Sequence, residues 1–194
     1  MKRKIKFCGM TREADIEAAE ALSIDFLGFI FVTSSPRHVT LKRAETLRKY
    51  IQKAKVVGVF EEQSQADIEK HIHLLHLDYV QLYGKSEGKI SVPVIQAFRG
   101  IPDIKILENA LQHCACVLLD KEEGKNEADF NAIAQLPIHI RSKLFLAGGL
   151  TPDNVRVAAD RIQPFAVDSA RGIESAPGEK NHHRMSAFLH AISS

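Results

Sequence analysis

Short runs of β-branched and other apolar residues alternate with amphipathic stretches from one end of the chain to the other. Eight runs read as strands: Lys4 to Phe7, Phe26 to Phe31, Val56 to Phe60, Tyr79 to Leu82, Val92 to Phe98, Cys116 to Leu119, Leu144 to Ala147 and Phe165 to Val167. Between them apolar positions recur at helical spacing. Ala14, Ala18, Ala21 and Leu22 share one face and Val155, Ala158, Ala159 and Ile162 another, while Met185, Phe188, Leu189 and Ile192 repeat the period further on. Thr11, Thr40, Ser64 with Asp67 three residues on, and Thr151 followed by Pro152 supply helix starts. The repeating phase is strand, loop, capped helix.

Eight βα units can close into a barrel, whereas an open doubly wound sheet usually carries fewer strands. Each unit has about 24 residues, well under the common barrel length of roughly 250 residues in all. The expectation is an α/β fold: a minimal (β/α)8 barrel, a TIM barrel, forming a single domain over residues 1–194. One unit strains the pattern. Only Tyr83 to Ser91 separates the fourth and fifth strands, and with Gly84 and Gly88 inside it this stretch is expected to form one helical turn at most.

Composition then removes whole classes of function. Lysine and arginine number 26 against 24 acidic residues, and the net charge of +2 comes with no basic stripe, so nucleic acid is not an expected partner. Met1-Lys2-Arg3-Lys4 is followed by Lys6, Arg12, Glu13 and Asp15 rather than by the apolar core of a signal peptide, and no apolar run is long enough to span a bilayer. A cytoplasmic protein without a membrane partner is expected. Cys8, Cys114 and Cys116 cannot all pair internally, which fits a reducing compartment.

In a (β/α)8 barrel the chemistry sits at the C-terminal ends of the strands. That rule selects Cys8, Arg37, Gln81, Tyr83, Arg99, Asp120, Gly148, Gly149 and Asp168. Cys8 follows an apolar run and precedes Gly9, which lets the backbone turn tightly. A free thiol has a pKa of about 8.5, within reach of proton abstraction where a helix terminus or a cation favours the thiolate. Cys114 and Cys116 open strand six at the opposite, stabilising end and read as buried small hydrophobes; with His113 they match no standard zinc spacing.

Asp120 ends the run Val117-Leu118-Leu119. Desolvation there would raise its pKa and make it a candidate general acid; pairing with Lys121 or Lys125 is the structural alternative. Ala147-Gly148-Gly149-Leu150-Thr151-Pro152 and Asp168-Ser169-Ala170-Arg171-Gly172 are the loops after strands seven and eight, where barrels commonly hold phosphate on backbone N–H groups, and Arg171 could add a cation. Ser35-Pro36-Arg37 offers a guanidinium suited to bidentate capture of a carboxylate. His71, His73 and His76 lack the i, i+4 separation of a metal-binding face, His182 and His183 open the last helix, and all five are expected at the surface with no metal.

Taken in order, Lys6-Phe7-Cys8-Gly9-Met10-Thr11, Leu27-Gly28-Phe29-Ile30-Phe31, Ser35-Pro36-Arg37, Val57-Gly58-Val59-Phe60, Val80-Gln81-Leu82, Leu118-Leu119-Asp120, Ala147-Gly148-Gly149-Leu150 and Phe165-Ala166-Val167-Asp168 resemble the phosphoribosylanthranilate isomerase family of tryptophan biosynthesis. The resemblance spans nearly the whole chain. It implies an Amadori rearrangement of N-(5-phosphoribosyl)anthranilate, a small phosphosugar, with no cofactor, in a monomer or homodimer. It also implies that Asp120 protonates the furanose oxygen, that Cys8 removes the C2 proton, that Arg37 binds the anthranilate carboxylate, and that Gly148, Gly149 and the loop Ser169, Ala170, Arg171 and Gly172 hold the phosphate. Gln81, Tyr83 and Asp168 would line the same pocket.

The chain departs from the family pattern at three places. Tyr83 stands where histidine is usual, Ser169-Ala170-Arg171-Gly172 where Val-Ser-Ser-Gly is usual, and Glu122 to Phe130 keeps only Gly124-Lys125 of a glycine-rich loop. Two other readings therefore accompany the isomerase: a weakened barrel that only binds a phosphorylated ligand, and another phosphosugar isomerase or epimerase on the same scaffold.

Overall fold

The computed structural model describes residues 3–84, 88–121, 125 and 128–193. Its strands β1 (Lys4–Cys8), β2 (Phe26–Ile30), β3 (Lys55–Phe60), β4 (Tyr79–Tyr83), β5 (Val94–Arg99), β6 (Cys116–Asp120), β7 (Leu144–Leu146) and β8 (Ala166–Ser169) are parallel and close in chain order, with β8 paired back to β1. The expected barrel is the observed one. The altered loop after Asp120 lies, apart from Lys125, Ala128, Asp129 and Phe130, outside the described residues.

Alternation along each strand builds two apolar layers. Ile5, Phe7, Leu27, Phe29, Val80, Leu82, Val117, Leu119 and Val167 face the helices, while Phe26, Val57, Ile95, Leu118, Phe145 and Ala166 fill the barrel itself. Both faces being buried, the strands read as continuous apolar runs. The interior is plugged by rings, Phe26 meeting Phe145 edge-on at 5.2 Å and Tyr79 at 5.7 Å. Further along the same inward-facing positions come Lys6, Cys8, Gln81, Asp120 and Asp168, so the polar groups gather above an apolar floor.

The helices are α1 (Glu13–Ala21), α2 (Leu41–Arg48), α3 (Gln65–Leu75), α4 (Ile104–His113), α5 (Phe130–Ala134), α6 (Ile138–Arg141), α7 (Val155–Ile162) and α8 (His182–Ser193). No helix joins β4 to β5 among the described residues. Instead the connection lies on α3, where Gln65 Nε2 donates to the Lys89 carbonyl at 2.8 Å and the Ser91 N–H and hydroxyl donate to Glu69 at 2.8 and 2.6 Å. Strand five begins at Val94 rather than Val92 because Pro93 has no N–H to add to the ladder.

Thr40 and Ser64 cap α2 and α3 through the N–H groups of Arg43 and Asp67, both at 3.2 Å. Two other starts differ from expectation. The Thr11 hydroxyl donates to the Gly178 carbonyl instead of capping α1, and α7 opens at Val155, after a turn in which Asn154 Oδ1 accepts from the Thr151 N–H at 2.8 Å. The buried face of α1 also differs: Ala14 and Ala21 are exposed, and Asp15, Ile16 and Ala19 are buried. Asp15 explains the rotation, since it accepts from the Lys180 N–H at 3.1 Å and from His182 Nε2 at 2.9 Å.

Lys180 belongs to an element the strand pattern did not predict. After a 3₁₀ turn at Arg171–Ile173, the short hairpin β9 (Glu174–Ala176) and β10 (Glu179–Lys180) lies between β8 and α8. Its turn is Pro177-Gly178, with Gly178 at φ 81°. That dipeptide is a turn signal, and the two flanking strands are too short to register as apolar runs.

Candidate active site

Lys6 and Cys8 stand two residues apart on β1 and so share its inward face. The register sets Cys8 opposite Gly28 and Lys6 opposite Asp168. A Cβ at position 28 would come within 2.9 Å of the Cys8 sulfur, so the glycine makes room for the thiol. Lys6 Nζ donates to Asp168 Oδ1 at 3.0 Å with its side chain wholly enclosed. Burial alone would loosen the Lys6 proton, but the Asp168 carboxylate, with Cys8, outweighs it and raises the ammonium pKa above 10.5. Burial pushes the Cys8 thiol above its ordinary 9.0, opposed by Lys6 most strongly and by Lys180. The cation beside the thiol is therefore Lys6, a residue the sequence reading did not single out. Its shared parity with Cys8, between the apolar Ile5 and Phe7, was the available signal.

On the other side of the mouth, β4 directs Gln81 and Tyr83 inward. The Tyr83 hydroxyl donates to Asp120 Oδ2 at 3.1 Å, and Asp120 Oδ1 accepts from the Lys121 backbone N–H at 2.7 Å. Burial first, then the neighbouring Asp120, lifts the Tyr83 phenol well above 10.0, so it stays a proton-bearing donor. Asp168 and Cys8 act on the phenol in the same direction. The Arg99 guanidinium lies 4.5 Å from the centre of the Tyr83 ring and pairs with Glu61 at 2.6 Å, closing the rim. Gln81 is 2% exposed, yet its Oε1 has no hydrogen-bond partner among the described residues. Such an acceptor costs about 1–3 kcal/mol when left unpaired.

The two glycines after β7 adopt φ 86° and 88°. A Cβ on Gly148 would meet the Lys121 nitrogen at 2.6 Å, and one on Gly172 would overlap the Leu150 carbonyl oxygen at 1.9 Å. Both loops therefore pack backbone against backbone. The Ser169 hydroxyl, buried on the outward face of β8, donates to the Leu150 carbonyl at 2.8 Å and ties the two loops together. Arg171 is exposed and borders a shallow depression with Thr151, Asp153, His183 and Arg184.

Arg37 crosses the end of β1. Gly9, at φ 72°, permits the crossing, since a Cβ there would lie 2.6 Å from Arg37 Cδ. The guanidinium does not stand alone: Nε donates to Glu174 Oε1 at 2.8 Å and Oε2 at 3.1 Å, and Nη2 to Oε2 at 2.6 Å. Glu174 Oε1 also accepts from Lys180 Nζ at 2.7 Å, and the same ammonium donates to the carbonyls of Cys8 at 2.7 Å and Ala170 at 3.3 Å. Burial would raise the Glu174 carboxyl, but Arg37 and Lys180 prevail and hold it below 4.5. Sequence reasoning missed Glu174 and Lys180, because no local pattern marks a charged side chain that the hairpin folds inward.

The remaining candidates are dispersed. Cys116 belongs to the interior cluster, where burial lifts its thiol to about 11, and Cys114 is partly buried. His71 departs from the surface expectation: its ring packs edge-on against Phe31 and Phe60, with centroids 4.4 and 5.3 Å away, because α3 covers β3 at that point. His73, His76, His182 and His183 are exposed.

Residues 5–191 match the family model for N-(5'-phosphoribosyl)anthranilate isomerase. Among curated relatives, the enzyme of that name from Dechloromonas aromatica is 34% identical, covering 99% of this chain and 97% of its own. That from Geobacter sulfurreducens is 37% identical, with 96% of each chain covered. The crystal structure of phosphoribosylanthranilate isomerase from Thermotoga maritima superposes with a TM-score of 0.85 at 28% identity over 98% of both chains. A structure of the isomerase in complex with reduced 1-(o-carboxyphenylamino)-1-deoxyribulose 5-phosphate gives 0.80 at 29% identity over 98% of both. With a closed barrel, an inward thiol and carboxylate at its C-terminal mouth and likeness along nearly the entire length, the chain belongs to the N-(5'-phosphoribosyl)anthranilate isomerase family.

Proposed function

We propose that this isomerase of tryptophan biosynthesis uses Asp120 as its general acid and Cys8 as its general base. Asp120 donates a proton to the furanose ring oxygen of N-(5-phosphoribosyl)anthranilate as the C1–O bond breaks, leaving a Schiff base between C1 and the anilino nitrogen. The Cys8 thiolate then takes the proton from C2. The electrons of that C–H bond move into C1–C2 and neutralise the iminium nitrogen, giving an enolamine that tautomerises to the 1-(2-carboxyphenylamino)-1-deoxyribulose 5-phosphate. The observation that carries this reading is the inward placement of Cys8, Tyr83, Asp120 and Asp168 at the C-terminal ends of β1, β4, β6 and β8, with Tyr83 bonded to Asp120 and the Lys6 ammonium bonded to Asp168 on the strand beside the thiol.

The ends of the substrate have matching groups. Arg37 meets the anthranilate carboxylate, and the backbone at Gly148, Gly149 and Ser169 to Gly172 meets the phosphate, so that the sugar spans the distance between acid and base. Gln81, whose Oε1 is a buried acceptor, takes a hydrogen bond from a sugar hydroxyl or the anilino N–H. The protein works as a monomer or homodimer; a solved relative, a monomeric form of the dimeric Thermotoga maritima enzyme, superposes with a TM-score of 0.81 at 28% identity over 99% of both chains. No helix among the described residues is long and apolar enough to cross a membrane, and the unpaired thiols of Cys8, Cys114 and Cys116 suit the reducing cytoplasm.

The test follows anthranilate fluorescence as purified protein consumes phosphoribosylanthranilate. Cys8→Ala and Asp120→Asn should each lower kcat by about 10² to 10⁴, and the double variant should lose less than the product of the two because both act on one reaction sequence. Rates like those of the wild type in both single variants would remove the acid–base assignment.

A further inference from the structure

The Arg37–Glu174–Lys180 cluster contains more than a carboxylate anchor needs. A guanidinium has five N–H donors, arranged so that one edge (Nε with one Nη) and the adjoining end (Nη1 with Nη2) each match a carboxylate. In Arg37 the Nε/Nη2 edge is taken by Glu174, and among the described residues no protein group accepts from Nη1. Glu174 is itself 5% exposed and held from behind by Lys180, whose ammonium is fixed to the backbone at Cys8 and Ala170. The hairpin carrying both residues is anchored on α1 through Asp15 and on α8 through Arg184, which donates to the Glu174 carbonyl at 2.8 Å.

We propose that Glu174 and Lys180 are positioning residues for the reaction: Glu174 occupies one edge of Arg37 so that the Nη1/Nη2 end faces the substrate carboxylate, and Lys180 locks that arrangement to the end of β1 that carries Cys8. Charge supports the arrangement. Arg37 and Lys180 would repel each other without the carboxylate between them; with Glu174 in place the cluster carries one net positive charge, which a bound anthranilate carboxylate neutralises. Distance supports it as well, because the ammonium that holds Glu174 also holds the carbonyl of the base residue, 2.7 Å from each. The grip on the aromatic carboxylate and the placement of the thiol thus share one rigid part.

The inference rests on Arg37 being the carboxylate anchor, and the experiment separates the two. Rates are compared for N-(5-phosphoribosyl)anthranilate and for N-(5-phosphoribosyl)aniline, which lacks the carboxylate. Arg37→Ala should collapse the preference for the carboxylated substrate; an unchanged preference would remove the anchor reading itself. Glu174→Gln, which keeps the shape and loses the charge, should lower the ratio of the two kcat/KM values about tenfold or more. The loss should fall mainly on KM for the carboxylated substrate, and Glu174→Asp should recover part of it. In an Arg37→Ala background Glu174→Gln should cost no further preference. The ratio does not depend on the fraction of protein that folds. Equal losses for both substrates, or a full further loss of preference in the Arg37→Ala background, would make Glu174 a structural residue only; no loss of preference in Glu174→Gln would likewise overturn the proposal.

Discussion

On the β1 and β8 side of the barrel mouth, Lys6, Asp168, Glu174, Lys180 and Arg37 are joined by ion pairs between 2.6 and 3.0 Å long, all of them with side chains largely out of solvent. On the β4 and β6 side, Asp120 is only partly buried and is held by a phenol and a backbone N–H, while Gln81 keeps an acceptor unpaired. The difference follows from what each side is proposed to hold, the base Cys8 on one and the acid Asp120 on the other. A thiol buried among apolar strands becomes a base only where fixed cations offset desolvation, and fixed cations need fixed anions. A proton donor that reaches a ring oxygen needs fewer partners. The side of the proposed base is thus closely paired, and the side of the proposed acid is left with hydrogen-bonding capacity.

The largest expected effect tests the closely paired side. Lys6→Met keeps the length of the side chain and removes its charge, leaving Asp168 as a buried carboxylate without its partner. Removing one member of a buried pair costs about 3–5 kcal/mol, to be read from urea unfolding. The same change removes the main force opposing desolvation of Cys8. In the wild type the Cys8 thiol, whose proton burial holds, should therefore ionise only above its ordinary value of 9.0, read as the rise of thiolate absorbance with pH against a Cys8→Ala blank. In Lys6→Met the rise should move to still higher pH. Unaltered stability together with an unmoved rise would show that the β1 side is no more closely held than the β4 side.

A smaller effect concerns acid. The folded Glu174 carboxyl lies below its unfolded value, so its stabilising contribution is complete above about pH 4.5 and is lost as the pH falls through the folded value. Urea midpoints of the wild type should drop on acidification through that window, and Glu174→Gln should flatten the drop while lowering the midpoint at neutral pH. An equally steep acid transition in the variant would assign the loss to other carboxylates.

These contrasts also mark how far the sequence could be read. The eight strands were legible because burial on both faces makes each a continuous apolar run, and the barrel followed from their number. Cys8, Asp120, Asp168 and the glycines after β7 were legible because strand ends in a barrel define the mouth. Lys6, Glu174 and Lys180 were not, because their meaning depends on partners 137 to 172 residues distant, as in the contacts from Arg37 to Glu174 and from Lys180 to the Cys8 carbonyl. The rotation of α1 was missed for the same reason. Alanine spacing predicted one face, and a long-range demand on Asp15 selected another.

The smallest effect belongs to Tyr83, which the family resemblance places where histidine is usual. Its ring is held from above by Arg99, and its hydroxyl gives Asp120 one of two hydrogen bonds. Tyr83→Phe keeps the ring under the guanidinium and removes only the donor. One such bond is worth about 0.5–1.5 kcal/mol net, or up to about 3 to a charged group, and Asp120 is partly open to water that can replace it. The variant should thus retain stability within about 1 kcal/mol of wild type and lose only a few-fold in kcat, with KM little changed. A loss approaching that of Asp120→Asn would mean that the phenol orients the acid as rigidly as Lys6 and Lys180 hold the base, and the two sides of the mouth would then differ in chemistry but not in preorganisation.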